Sequence, residues 1–131
     1  MRADLFIDGK WVDSKNRREV INPATGEPFT DVPEADTAQM DMAIAAARRA
    51  QGAWGRKSPV ERAEYMKKIV ALLKRDTEQL AQIITREMGK PISEARGEAG
   101  GGAVGFIEYY AEMARRIQGE ILPSDVAEEQ I

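Results

Sequence analysis

The chain has 131 residues, 43% of them hydrophobic and 31% charged, enough apolar material for one buried core and too much for a disordered tail. Nineteen lysines and arginines against 22 acids leave a net charge of −3, so no nucleic-acid or anionic-membrane partner held by counterion release is expected. Cysteine and histidine are both absent, which removes a disulfide frame, a thiol nucleophile, a thiolate zinc site and the commonest general base from these residues.

In chain order, Asp8 interrupts the apolar run Leu5-Phe6-Ile7 before a signal-peptide core can form. The longest apolar runs stay far below the roughly 20 residues that span a bilayer, and the expected location is the cytoplasm. Leu5-Phe6-Ile7, Asp8-Gly9 and Lys10-Trp11-Val12 read as a hairpin, because Asp-Gly supplies the positive φ angles of a type I′ turn. Glu19-Val20-Ile21 is a second short strand, Asn22 to Gly26 a turn, and Glu27 to Val32 a further extended run. Residues 1–33 thus form a hairpin and extended arm, and the pattern changes near Pro33-Glu34.

Residues 34–120 read as helical. Asp36 with Gln39 forms a capping box, and Met40, Ile44, Ala47 and Trp54 follow at helical spacing. Ser58-Pro59-Val60-Glu61 starts the next helix, with Val60, Ala63, Ile69, Val70 and Leu73 as its expected buried stripe. Asp76 with Gln79 resembles another cap, so a break is expected near Asp76-Thr77. Leu80, Ile83, Ile84 and Met88 then continue to Gly89, a C-terminal glycine. Pro91 opens a last helix, with an expected apolar face of Phe106, Tyr109 or Tyr110, Met113 and Ile117, stopped by Gly119. The fold class is α+β and mostly helical: short N-terminal strands, then four helices. Residues 121–131 read as a turn at Pro123-Ser124-Asp125 and the start of a new extended segment.

Few residues suggest chemistry. Gly100, Gly102 and Gly105 match G-x-G-x-x-G with Asp125 downstream, but the dinucleotide fingerprint needs a strand before its first glycine and this one follows a helical pattern. Gly97, Gly101 and Gly105 share one helix face, and each costs roughly 1 kcal/mol relative to alanine. Close approach of another backbone or a ligand channel accounts for them better than phosphate does. Glu87 beside Gly89-Lys90 is a metal ligand, an acid/base or simply a solvated helix end. The doublets Arg48-Arg49, Lys67-Lys68 and Arg115-Arg116 alternate with acids and read as solvated faces. Trp11, Trp54, Tyr109 and Tyr110 are expected in the core.

Blocks in series carry a family resemblance. Phe6-Ile7-Asp8-Gly9-Lys10-Trp11, Asn22-Pro23-Ala24-Thr25-Gly26-Glu27, Ala46 to Ala50 with Trp54, Arg62, Glu87-Met88-Gly89-Lys90-Pro91, Glu94 to Glu98, Tyr109-Tyr110-Ala111 and Gly119 to Pro123 resemble the opening of the NAD(P)-dependent aldehyde dehydrogenase superfamily, nearest its lactaldehyde, glycolaldehyde and succinate-semialdehyde group. The resemblance covers essentially the whole chain. It implies that this is an N-terminal part of a larger α/β fold, from which the nucleotide-binding and catalytic domains and the oligomerisation arm are missing.

In the family a cysteine thiolate attacks the aldehyde, hydride passes to the nicotinamide, and a glutamate-activated water releases the acid. With no cysteine, this chain alone is expected to be inactive and to bind neither NAD nor NADP. The resemblance further assigns a structural monovalent-cation site to the carbonyls of Val20 and Ile21 and the carboxylate of Glu87, a donor set suited to a hard cation. It places Glu98 and Gly102 on the aldehyde tunnel. Expected partners are the remainder of a dehydrogenase or a second copy of the chain, through apolar faces left open. Two alternatives stand beside this reading: a self-standing module that docks on itself or on a full-length dehydrogenase, and a small enzyme working through carboxylates.

Overall fold

The computed structural model describes residues 4–119. Strands β1 (Leu5–Ile7) and β2 (Lys10–Val12) form the expected hairpin, Ile7 opposite Lys10. Asp8 at φ 53° and Gly9 at 76° make its turn, two successive positive φ angles as a type I′ turn requires. Ile7 is buried, whereas Phe6 and Trp11 pair across the ladder with centroids 5.0 Å apart and stay 62% and 72% exposed.

Strands β3 (Asn16–Ile21) and β4 (Pro28–Glu34) form a second antiparallel ribbon. It starts earlier than the β-formers alone indicate, because polar contacts extend it. The Ser14 hydroxyl donates to the Glu34 carbonyl at 2.5 Å, Arg17 reaches Asp13 and Asp31, and Arg18 reaches Glu34. A bulge falls between Val20 and Ile21.

Helix α1 (Thr37–Gly55) opens on the Asp36–Gln39 capping box, and α2 (Pro59–Met88) on the Ser58–Glu61 box. Helix α2 runs unbroken through Asp76-Thr77, against the expected break. Asp76 accepts from its neighbour Arg75 instead of capping, and the Thr77 hydroxyl donates to the Leu73 carbonyl at 2.8 Å. The helix packs along its length on the elements that follow, and tertiary packing of this kind outweighs a local cap signal. Gly89, at φ 72°, caps it. The last helix is divided where the pattern reads as continuous. Helix α3 (Ile92–Gly97) passes through a π-helical segment (Glu98–Gly102) into α4 (Ala103–Met113), which ends before Gly119. Four α-helices result, parted at the π segment rather than at Asp76. The turn and extended segment expected over 121–131 lie outside the described residues.

The buried core consists of small residues. Ala63, Val70 and Ala81 of α2 meet Ala95, Ala99, Val104 and Ala111 from α3, the π segment and α4. Such side chains let helices approach closely. One contact confirms it: a Cβ on Gly100 would lie 2.7 Å from Thr77 Cγ2, while Gly97, Gly101 and Gly105 face open space. The close approach therefore falls on Gly100 rather than on the expected row.

The large apolar side chains lie elsewhere than expected. Phe106, Tyr109, Tyr110 and Ile117 are exposed, the α4 face against α2 being Val104 and Ala111. Val60 and Ile69 are exposed on α2, and Trp54 on α1, which buries no residue at all. All the expected α4 residues lie beyond the π segment, so side-chain size and not register misled the choice of face: the small Val104 and Ala111 pack on α2 and the large rings point away.

Candidate functional site

The second ribbon and the C-terminal half of α2 enclose a cleft of about 330 Å³. Phe29, Thr30, Asp31 and Val32 of β4 form one wall, and Gln79, Gln82, Ile83, Arg86 and Glu87 of α2 the other. Glu87 is thus a wall residue, exposed one position before the helix end. Val20 pairs with Thr30 and Ile21 with Pro28, so the bulged end of β3 backs the β wall. A bulge leaves backbone groups outside the ladder, which suits carbonyl ligation. No group of three or more carboxylates gathers among the described residues. Of the two wall carboxylates, Asp31 is engaged by Arg17 at 2.7 Å, and Glu87 stands nearest the helix end.

Glu98 and Gly102 bracket the π segment, and the Ala103 amide donates across it to the Glu98 carbonyl. Both are exposed, but the structure does not place them on one groove. Gly102 lines a shallow apolar groove with Gly101, Gly105, Phe106, Tyr109 and Tyr110. Glu98 instead pairs with Lys90, whose ammonium this hydrogen bond holds above the ordinary lysine range. Next to it, Arg96 grips Glu78 with two bonds of 2.7 and 2.9 Å, holding the Glu78 carboxyl down at about 2. This fork ties α3 to α2 just ahead of the π turn. Sequence spacing gives no hint of it, since the partners stand eighteen residues apart on different helices.

The glycine motif at Gly100, Gly102 and Gly105 lies inside helical backbone with no strand before it, and the Ala103 amide is spent on Glu98. A phosphate cradle needs free amides at a helix start, and these glycines follow α3 inside helical backbone instead. The basic doublets lie partly in ion pairs: Arg49 with Asp8 at 3.0 Å and Lys67 with Glu64 at 2.8 Å.

A cap-initiated α-helical hairpin with a π turn, fronted by two short β ribbons, defines a helical scaffold that carries the cleft between β4 and α2 and the apolar groove on α4. The sequence profile of the aldehyde dehydrogenase family matches residues 11–131, and the chain belongs to that family. It is 39% identical over its whole length to a 3-sulfolactaldehyde dehydrogenase from Pseudomonas putida and 41% identical to a mitochondrial succinate-semialdehyde dehydrogenase from Arabidopsis thaliana, covering 27% and 25% of those proteins. Among solved structures, a succinate-semialdehyde dehydrogenase from Burkholderia pseudomallei superimposes with a TM-score of 0.87 at 37% identity, over 98% of this chain and 27% of that one. The chain spans about a quarter of the length of the relatives it matches, corresponding to their N-terminal portion. No described helix is long and apolar enough to cross a membrane.

Proposed function

We propose that the chain is the N-terminal scaffold of an NAD(P)-dependent dehydrogenase that oxidises short aldehydes to carboxylic acids. The observation that carries this is the end-to-end match, in sequence and backbone, to one quarter of semialdehyde and sulfolactaldehyde dehydrogenases. The names of those relatives favour an aldehyde that bears a second, anionic group.

The thiol step belongs to residues outside these 131, since no cysteine is present; in this reading the dinucleotide and the hydride transfer lie there too, and the chain by itself binds no NAD or NADP. Within it, the division at residue 33 separates an arm that frames the cleft from the helices that carry the groove, with residues 121–131 leading onward. Val20, Ile21 and Glu87 hold a structural monovalent cation, as their oxygen donors and their place around one ribbon and cleft support. Gly102 contributes to the aldehyde tunnel through the aromatic groove. Glu98 acts from the neighbouring turn. The reading carries a cytoplasmic location.

The exposed faces of α1 and α4 meet the remainder of the dehydrogenase, and in its absence a second copy. That exposure also favours a second reading, a docking module without catalysis of its own. The DNA beyond the Ile131 codon separates the two. A continuing frame with a βαβ dinucleotide pattern and a cysteine, whose product reduces NAD+ or NADP+ with succinate semialdehyde, is the expected result. A stop codon with no such frame nearby overturns the dehydrogenase reading and leaves the module.

A further inference from the structure

Charge along the chain changes sign inside α1. Residues 19–41 hold six acids and no lysine or arginine, whereas residues 42–75 hold nine lysines and arginines against two glutamates. The switch falls between Asp41 and Arg48, on a helix that buries no residue.

The outer face of that helix carries a regular seam. Met40, Ile44, Ala47, Gln51 and Trp54 follow one another at alternating steps of four and three residues, the 3.5-residue repeat by which two helices pack side by side. All five are exposed, Met40 at 53%, Ile44 at 46% and Trp54 at 44%, and the last four line a groove of about 470 Å³ with Arg48. The helix is tied to the fold from its other side, where Gln39 donates to the Asp13 carbonyl and Arg49 to the Asp8 carboxylate. One flank of the seam is charged. Asp41 and Arg48 lie on it two turns apart, too far to pair with each other, both exposed and without a salt bridge among the described residues. The opposite flank holds only Ala43 and Ala50.

We propose that the isolated chain forms a closed, antiparallel pair through α1, the seam of one copy packing on the seam of a second. This rests on the reading that α1 stands open when the remainder of the dehydrogenase is absent, and it names the partner surface and its direction. The charges select both. In an antiparallel pair like flanks face each other, so with Ile44 opposite Ala47 the Asp41 of each copy comes beside the Arg48 of the other, once on either side of the twofold axis. In a parallel pair the charged flank faces the alanine flank, and Asp41 and Arg48 stay unpaired. Flanking charges of this kind set partner and orientation in paired helices. Because one surface serves both copies, the contact is isologous and stops at two.

The test is sedimentation velocity on the 131-residue chain at low salt, with the variants D41R, R48D and D41R/R48D, each checked for helix content by circular dichroism. The wild type should pass from monomer to dimer as concentration rises and go no further. Each single variant sets like charges against each other at both contacts and should associate about tenfold more weakly. The double variant restores both pairs with their signs exchanged and should recover wild-type association. So should an equimolar mixture of the two single variants, in which each copy supplies the complement of the other, and recovery there also shows that both fold. Single variants that associate like the wild type, loss without recovery in the double variant and the mixture, or assemblies larger than two overturn the antiparallel pair while leaving the open α1 face in place. A wild-type chain that stays monomeric at high concentration overturns both.

Discussion

The packing of the π segment on α2 makes the most quantitative prediction. Replacing Gly100 by alanine puts a methyl group 2.7 Å from Thr77 Cγ2, closer than real Cβ atoms approach, and 3.1 Å from Thr77 Oγ1, tighter than most. Thr77 cannot yield cheaply: it is β-branched with few helical rotamers, and rotation breaks its bond to the Leu73 carbonyl. Crowding of this kind costs about 1–3 kcal/mol. Alanine for glycine in a helix also contributes about 1 kcal/mol of stability, which would blur the reading. Gly101 removes the ambiguity, because a Cβ there meets nothing within 4 Å. The G101A and G100A variants share the propensity gain, so their difference isolates the contact. G101A should exceed G100A by about 1–3 kcal/mol in urea or thermal unfolding, and adding Thr77→Ala to G100A should close most of the gap. Equal stability of G100A and G101A would refute the claim that helix α2 and the π segment meet through Gly100.

Other substitutions probe the remaining joints. Ser58→Ala removes the acceptor for the Glu61 amide and should cost about 1 kcal/mol in denaturant unfolding. Gly89→Ala should cost about 1–2 kcal/mol, since Gly89 sits at φ 72°. It should exceed Gly26→Ala, because a Cβ on Gly89 also lies 3.0 Å from the Pro23 ring whereas Gly26 faces open space. The Arg96 fork lowers the Glu78 pKa from 4.5 to about 2, so its stabilisation is complete above the ordinary carboxylate pKa and fades as pH falls through the lowered one. The melting-temperature gap between wild type and Glu78→Gln should be constant at neutral pH and close between 4.5 and about 2. A gap that persists below that window contradicts the charge assignment.

Local chemistry was readable wherever it acts over a few residues. Asp8-Gly9, the Asp36 and Ser58 boxes and Gly89 each set a backbone angle or satisfy end amides, and each stands where the sequence puts it. What escaped depends on distant partners. Asp76-Gln79 carries a cap pattern, yet packing along α2 keeps that helix whole. Nothing local announces the π turn at Glu98–Gly102, which divides a helix that reads as continuous. Phe106, Tyr109 and Trp54 look like core residues because most large apolar side chains are, but alanines fill this core. The site was legible only by family likeness: no spacing rule connects Val20 and Ile21 on a ribbon to Glu87 at the end of a helix.

The central claim is that this chain supplies scaffold and not chemistry. It is tested most directly by incubating the purified 131-residue chain with succinate semialdehyde and either NAD+ or NADP+, and following absorbance of the reduced nicotinamide. The account predicts no reduction above the protein-free rate, with no cysteine to form the thiohemiacetal. Sustained turnover that follows the concentration of pure chain would contradict it and return the carboxylate-based enzyme to consideration.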